Sequence, residues 1–392
     1  MPTGLSYQQL MRVPFILRTI SRIHAPGAAM SRYYGLGMQP TTGVQQITGR
    51  SGQYDIFDGT RSLAPFTAPG APAVDINRKP VGTQPITVPR QYNKIGIEDE
   101  QVFGTRNLGQ PYSQPVPSRG EQYMINQVRY LKTRMMNNME FMTAHMFRGG
   151  WRLKPYATGS QLMVLADATD TTAGGITNDT LVPSGNKTNI GGIIDTSWDD
   201  PSANLIEQLM TLQTKAVQQN GRRITEIWLN GITASYLFTN SVVQAVGGSV
   251  NKIFNTFSPS TEIGPDQKFP DTGVTVQFGG LPGYNFHIYN QGYTTPGTSE
   301  AFSAQIDPAN WNYFIPTGKA IMTPPPGEWC EMVEGSEPMQ WNLREANSSI
   351  ISGFGMGTER SIDPPKTDVK MLYNGAPVIT EPYAVYYATV IF

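Results

Sequence analysis

The apolar positions follow helical spacing most clearly between residues 118 and 148. They recur at alternating steps of four and three, at Met124, Val128, Leu131, Met135, Met139, Met142 and Met146. This spacing puts them on one face of a helix about 45 Å long. Ser118 and Glu121 form a capping-box pattern, and Gly149-Gly150 ends the stripe. We interpret the methionine stripe as a core face; the alternative is an adaptable surface for a partner.

A second helical pattern follows residue 198 and begins a stretch in which helices and strands alternate. Its apolar stripe consists of Leu205, Leu209, Leu212 and Ala216. Asp199 or Asp200 is the predicted N-cap, and Asn220-Gly221 is the predicted end. "RITEIWLN" then predicts a strand, "GITASYLFTNSVVQAV" a helix, and "TVQFGGLPGYNFHIYNQGYTT" and "NYFIPTGKAIMT" further strands. Residues 198–345 are therefore predicted to form a mixed α/β unit.

One stretch, "APFTAPGAPAVDINRKPVG", has no apolar periodicity. It spans residues 64–82 and holds four prolines, which exclude an ordinary helix or central strand. The sequences on both sides of it are typical of extended chain. Residues 51–105 are therefore predicted to form a long finger with a tip that the prolines stiffen. The last residues, "YAVYYATVIF", are β-branched and aromatic and predict a buried sheet strand.

Composition indicates a protein that associates. Charged residues make up 15% of the 392-residue chain, while Gly and Pro number 40 and 31; a typical soluble domain has about 25% charged residues. Residues 1–50 hold five Arg and no acidic residue, and "GEWCEMVEGSE" gathers four Glu. These are either two solvated surfaces or a basic arm that docks on something acidic.

The single cysteine, Cys330, excludes an internal disulfide framework and a multi-cysteine zinc site.

Motifs of catalysis are missing from the sequence. His24, His145 and His287 have no carboxylate or second histidine at ligand spacing, and we interpret them as structural. There is no G-x-S-x-G elbow and no phosphate-binding loop, and "GFGMG" has the wrong glycine spacing for a dinucleotide loop. The sequence therefore predicts no catalytic, cofactor-binding or metal site and no enzyme. No segment approaches the length of a membrane span.

Six segments, taken in order along the chain, carry a family resemblance: "LSYQQL", "PVGTQPITVPRQYNKIGIEDE", "WLNGITASYLF", "GGLPGYNFHIYNQGYTT", "NYFIPTGKAIM" and "APVITEPYAVYYATVIF". They resemble the major capsid proteins of tailed bacteriophages, and most of all the lambda major head protein (capsid protein E) family. The resemblance implies an α+β fold of the Hong Kong 97 type. It also implies five regions: an N-terminal arm (1–50), an E-loop (51–105), a P-domain (106–197) with spine helix 118–148, an A-domain (198–345), and a return to the P-domain (346–392).

The same resemblance implies a structural role. The expected function is self-assembly into pentamers and hexamers of an icosahedral virion shell, built in the host cytoplasm around double-stranded DNA. The DNA contact is expected to be weak and non-specific, because the chain has no basic run. A scaffolding protein, a portal and a decoration protein are the other partners that the family implies. The alternatives are a phage fibre or adhesin subunit and an unrecognised hydrolase.

Five residues are the candidates for contacts between subunits. They are Arg12, Arg18 and Arg22 in the arm and Arg78 and Lys79 at the tip of the finger. The alternative for each is a solvated surface charge. No covalent cross-link is predicted, because nothing in the sequence indicates a partner for Lys79.

Overall fold

The computed structural model describes residues 28–38, 40, 43–57, 81–98, 118–155, 163–170, 175–247, 274–276, 283–294, 311–339, 349–361 and 366–392. The helices of this part are α1 (Ala29–Tyr33), α2 (Ser118–Arg148), α3 (Leu205–Gln219), α4 (Gly231–Thr239) and α5 (Ser241–Gly247). The first strands are β1 (Val44–Thr48), β2 (Ser51–Phe57), β3 (Val81–Thr87), β4 (Arg90–Glu98), β5 (Gly150–Pro155), β6 (Met163–Asp167), β7 (Ile176–Asp179), β8 (Lys187–Thr188) and β9 (Glu226–Leu229). The remaining strands are β10 (Val274–Val276), β11 (Asn285–Ile288), β12 (Gly292–Thr294), β13 (Trp311–Tyr313), β14 (Lys319–Thr323), β15 (Cys330–Met339), β16 (Ser349–Ser361), β17 (Lys366–Ile379) and β18 (Tyr386–Thr389).

The long helix α2 begins and ends at the predicted residues 118 and 148. All seven positions of its predicted apolar stripe are buried, so the interpretation of the stripe as a core face is confirmed. The side chains of the predicted capping box, Ser118 and Glu121, lie outside the described residues. Gly150 follows the helix with a φ of +135°, and a Cβ there would lie 2.4 Å from the carbonyl oxygen of Asn178. Only glycine fits this turn from helix to strand.

A five-stranded sheet with the order β1-β15-β16-β17-β4 lies against α2. Its strand β17 joins two segments that the sequence presents separately, "DVKMLY" and "APVITEP", into one run of 14 residues. This strand pairs antiparallel with β4, from Lys366 opposite Glu98 to Asn374 opposite Arg90. Side chains of β17 and the methionines of α2 belong to one hydrophobic core.

A six-stranded sheet with the order β10-β11-β9-β14-β18-β8 forms the second layer. Its pairs β9–β11 and β8–β18 are parallel, and its other pairs are antiparallel. The predicted stripe of α3 packs with this sheet in a second core, and all four of its residues are buried. The strands β5, β6 and β7 form a separate three-stranded sheet directly after α2.

The N-cap of α3 differs from the prediction. Asn204 caps the helix, because its Oδ1 accepts a hydrogen bond from the backbone N–H of Glu207. Asp200, one of the two predicted caps, instead accepts from the N–H and the hydroxyl of Ser202 at 2.8 and 2.7 Å. It therefore stabilises the turn before the helix. The predicted end at Asn220-Gly221 is confirmed by a C-cap at Asn220.

The segment predicted as one helix after β9 forms two, α4 and α5, separated at Asn240. The Oδ1 of Asn240 accepts a hydrogen bond from the N–H of Val243 at 3.0 Å, and its amide donates to the carbonyl of Ala203 at 3.0 Å. An asparagine that caps the second helix and is held by a tertiary contact stops the first helix.

The two large sheets draw strands from several of the predicted regions. β15, from the predicted A-domain, lies in the five-stranded sheet, while the C-terminal β18, predicted to return to the P-domain, lies in the six-stranded sheet. The described part of the predicted arm also contributes to the body, since β1 pairs with β15 and Tyr34 is wholly buried. The division into five regions stays a prediction, but its boundaries do not coincide with those of the sheets.

Candidate functional site

The predicted contact residues Arg12, Arg18, Arg22, Arg78 and Lys79 lie outside the described residues. Their role therefore stays a prediction. The structure does describe the two places at which the predicted arm and finger join the body. The first is a buried junction around Glu140, and the second is the base of the finger.

At the junction, Glu140 of α2 holds the short helix α1. Its two carboxylate oxygens accept hydrogen bonds from the backbone N–H groups of Met30 and Ser31, each at 2.8 Å. The hydroxyl of Tyr289, which follows β11, donates to the same carboxylate at 2.7 Å. Glu140 is fully buried. One side chain thus ties together α1, the long helix and the six-stranded sheet.

Burial raises the pKa of Glu140 above its ordinary value, and the hydrogen bonds from Ser31, Tyr289 and Met30 oppose that shift. A carboxylate at the first turn of α1 also faces the positive end of the helix dipole. The junction is therefore stabilised by an acceptor whose three donors would be left buried and unsatisfied without it.

Tyr34, directly after α1, extends the junction with aromatic contacts. Its hydroxyl accepts a hydrogen bond from Nε1 of Trp228 at 2.8 Å and is also hydrogen-bonded to Thr323. Its ring meets the edges of Phe147 and Trp329 at centroid distances of 5.0 and 5.5 Å. The rings come from β9, from α2 and from the turn before β15, so packing fixes the relative positions of these elements.

His287 forms a buried pair with a carboxylate that sequence spacing did not reveal. Its Nε2 lies 2.6 Å from Oε2 of Glu226, and the His287 ring stacks on Trp228. The parallel pairing of β9 and β11 brings the two residues together across 61 positions. Burial would raise the pKa of Glu226, but the hydrogen bond and the charge of His287 outweigh it and lower that pKa. The pair is enclosed, as expected of a structural histidine.

His145 also gains a carboxylate neighbour through the fold. Its Nδ1 donates to the carbonyl of Phe141 at 2.9 Å, so its Nε2 accepts from Nη1 of Arg148 at 2.8 Å. Arg148 in turn donates to Asp167 at 2.7 Å. Burial, together with the charge of Arg148, lowers the pKa of His145 to about 3. His145 is therefore neutral near pH 7 and holds the end of α2.

The acidic stretch that begins before β15 contacts its own chain. Glu331 accepts from the amide of Gln45 at 3.0 Å, and Glu337 lies 3.2 Å from Nε of Arg90. Glu334 is buried, and burial raises its pKa. Gly353 leaves room for the Glu334 carboxylate, because a Cβ there would lie 2.5 Å from Oε1. These three carboxylates belong to strand β15 of the five-stranded sheet, and Glu331 and Glu337 have partners in their own chain.

Cys330, the single cysteine, is also a structural residue. Cys330 is buried, and burial raises the pKa of its thiol, which makes it unreactive. Within the described ranges, no three His, Cys, Asp or Glu side chains are placed to hold a metal ion. No helix in the same ranges is long and apolar enough to cross a membrane.

The base of the predicted finger is the antiparallel pair of β2 and β3. The N–H of Phe57 donates to the carbonyl of Thr380 at 2.7 Å, which anchors β2 on the body. Asn178 anchors β3 because its side chain accepts from the N–H of Thr87 at 2.9 Å and donates to the Thr87 carbonyl at 3.2 Å. Both flanks are extended as predicted, and their base is held by their own chain. Of the predicted tip, residues 64–82, the last two begin β3, and the others lie outside the described residues.

The fold of this chain, but not its sequence, is similar to known proteins. No family model matches the chain, and no curated protein shows significant similarity to it. Among solved structures, it is similar to a protein assigned to the capsid of a prophage of Escherichia coli CFT073, with a TM-score of 0.52, 11% identity and 99% of each chain covered. It is also similar to a phage-related protein from Bordetella bronchiseptica RB50, with a TM-score of 0.50, 10% identity and 96% of each chain covered.

These similarities extend over nearly the whole chain, although the sequences are only 10% and 11% identical to it. The chain has the α+β fold of phage capsid proteins, which is the Hong Kong 97-type fold that the sequence resemblance implied. At this level of identity the similarity establishes the fold.

Proposed function

We propose that the chain is the major capsid protein of a tailed double-stranded DNA bacteriophage. It assembles into pentamers and hexamers of an icosahedral shell that encloses the genome, and it is not an enzyme. The observation that carries this proposal is the capsid-type fold over the full length of the chain. Fold alone does not imply function, but the low charge and the proline-rich finger also favour an associating structural protein.

The proposed mechanism is geometric. The Glu140 junction and the two cores make a rigid body from which the arm and the E-loop leave. We place the arm in residues 1–50, the E-loop in 51–105, the P-domain in 106–197 and 346–392, and the A-domain in 198–345. Prolines in the E-loop tip reduce the entropy that is lost when the tip orders on a neighbouring subunit.

Arg12, Arg18 and Arg22 in the arm and Arg78 and Lys79 in the E-loop tip are the proposed contacts to neighbours. The further proposed partners are a scaffolding protein, a portal, a decoration protein and weakly held DNA. Assembly is proposed in the host cytoplasm, and the mature location is the virion shell. The support for these finer points is the sequence resemblance.

Electron microscopy of the purified full-length chain tests the proposal, combined with size-exclusion chromatography and light scattering. Closed shells, or rings of five and six subunits, are the expected result. A 43.1 kDa monomer at every concentration would contradict the proposal and favour the hydrolase alternative. Long unclosed fibres would favour the fibre alternative. A double variant Arg78→Gln/Lys79→Gln should form fewer shells than a matched Arg50→Gln/Arg223→Gln variant, which changes two exposed arginines that are not among the proposed contacts.

A further inference from the structure

The exposed face of the first half of α2 carries hydrogen-bond donors and cations but no carboxylate. One row at i, i+4 spacing consists of Gln122, Asn126, Tyr130, Arg134 and Asn138, and the neighbouring row consists of Arg129, Thr133 and Asn137. All eight are exposed or half-buried and lie outside the methionine stripe, although Asn138, at the end of the row, also donates a hydrogen bond to Gln91 of β4 at 3.5 Å. Between Glu121 and Glu140 the sequence has no acidic residue. We call this set of eight residues the spine-helix face.

Two arginines mark this face. The guanidinium of Arg134 lies over the ring of Tyr130, 4.6 Å from its centroid, a cation–π contact that holds the charge on the surface. Arg129 is exposed five residues earlier, about 7.5 Å along the helix axis and about 140° around it. The two cations therefore lie on different flanks of the face, where they can contact separate phosphates.

Positive charge continues from this helix towards α1. Lys132 lies at the edge of the face, and burial together with the nearby charge of Arg32 lowers its pKa to about 8. Residues 122–139 together with Arg32 of α1 hold four of the 29 Lys and Arg and none of the 30 Asp and Glu. This part of the surface is therefore basic, although the net charge of the whole chain is −1.

We propose that the spine-helix face binds the phosphate backbone of double-stranded DNA, an inference that rests on the proposed shell function. Arginine, amide and hydroxyl donors bind phosphate oxygens without reading bases, and the face offers no carboxylate to repel them. A protein partner fits less well, because protein interfaces have an apolar and aromatic centre and the only large apolar group exposed here is Tyr130. The surface that contacts the genome is then the side of α2 opposite the core.

Binding of a fluorescent 30-base-pair duplex to unassembled full-length subunits tests this inference. Anisotropy is measured at 50 and 200 mM salt for the wild type, for Arg129→Gln/Arg134→Gln and for the matched control Arg50→Gln/Arg223→Gln. Two lost phosphate contacts reduce the salt slope by about two, so the wild type should lose about tenfold more affinity over this range than the first variant. The control should keep the wild-type slope within error. Thermal unfolding checks that both variants are folded.

Equal slopes for all three proteins would overturn the inference, as would an equal loss in both variants, which would indicate a general charge effect. If Arg129→Gln/Arg134→Gln fails to form shells while its DNA binding is unchanged, the face contacts another subunit or an acidic protein, and the inference is also wrong. The proposed function is judged separately, by whether the wild-type chain forms shells at all.

Discussion

The hydroxyl of Tyr289 donates a 2.7 Å hydrogen bond to Oε1 of Glu140, although 149 positions separate the two residues. The contact joins the end of the six-stranded sheet to the long helix, and the same carboxylate holds α1. Glu140 therefore fixes the position of α1 on the body. The proposed shell function depends on the relative placement of surfaces, so this junction is the part of the described structure that we expect to matter most for it.

Replacing Glu140 tests how much the junction contributes. Glu140→Gln places an amide donor against one of two buried backbone donors, and should lower the free energy of unfolding by about 2–3 kcal/mol. Tyr289→Phe removes one donor and keeps the carboxylate, so its cost should be smaller, about 1–2 kcal/mol. Urea unfolding of unassembled subunits measures both. A Glu140→Gln variant as stable as the wild type would show that the junction is not stabilising.

His145 makes the stability of the subunit depend on pH. Its pKa is about 3 in the folded chain and about 6.5 in an unfolded one, so the unfolded state takes up the proton first as pH falls. The stability that neutral His145 contributes is fully present above about pH 6.5 and is lost as the pH falls towards 3. Between pH 7 and 5 the loss from this residue is about 2 kcal/mol.

The matched variant for this pH test is His145→Gln, whose amide offers both a donor and an acceptor but does not titrate. Urea unfolding at pH 7 and pH 5 should show a smaller loss in the variant than in the wild type. The raised pKa of Glu140 acts in the opposite direction in both proteins and cancels in the comparison. Identical pH dependence in the two proteins would mean that His145 does not titrate as described.

Gly150→Ala should destabilise the subunit strongly. The φ of Gly150 is +135°, and a Cβ would lie 2.4 Å from a backbone carbonyl oxygen. The expected loss is at least about 2–3 kcal/mol, from conformational strain and steric overlap. Gly37→Ala is the control, because nothing lies within 4 Å of a Cβ there, and it should leave the melting temperature nearly unchanged. Equal melting temperatures for the two variants would contradict this account of the turn.

Two truncations separate folding from assembly. Removing residues 1–27 leaves α1 and Tyr34 in place, so the subunit should fold with wild-type stability but fail to close shells. Removing residues 1–34 also deletes the donors to Glu140 and the buried Tyr34, and should cost more than about 5 kcal/mol. Circular dichroism and electron microscopy measure the two properties. Normal shells from the shorter truncation would refute the role of the arm.

Asn178→Ala should loosen the base of the predicted finger. The variant loses both hydrogen bonds to Thr87, and the expected local cost is about 1–3 kcal/mol. Hydrogen exchange should become faster in β2 and β3 but not in β17. Thr83→Ala, at an exposed position of β3, should leave that exchange unchanged. Unchanged exchange in both variants would mean that Phe57 alone anchors the hairpin.

The sequence by itself determined the elements whose signal is local. The stripe of α2 and the stripe that begins at Leu205 were predicted residue by residue. This was possible because the helical spacing of apolar residues can be recognised within a few turns of sequence. The extended flanks of the proline-rich stretch were likewise predicted, as was the structural character of His287. The resemblance to phage capsid proteins gave the fold.

Only the tertiary structure decided which distant groups meet. Sequence spacing could not pair His287 with Glu226, because that contact depends on the register of two parallel strands. It also predicted Asp199 or Asp200 as the cap, whereas Asn204 caps the helix, and it did not indicate that β18 pairs with β14. Nothing in the sequence distinguishes Glu140, because glutamate is common in helices. Its role depends on contacts with α1 and Tyr289, which are distant in the sequence. Periodicity records which face of an element is buried, while the partner of that face is fixed by packing across the whole chain.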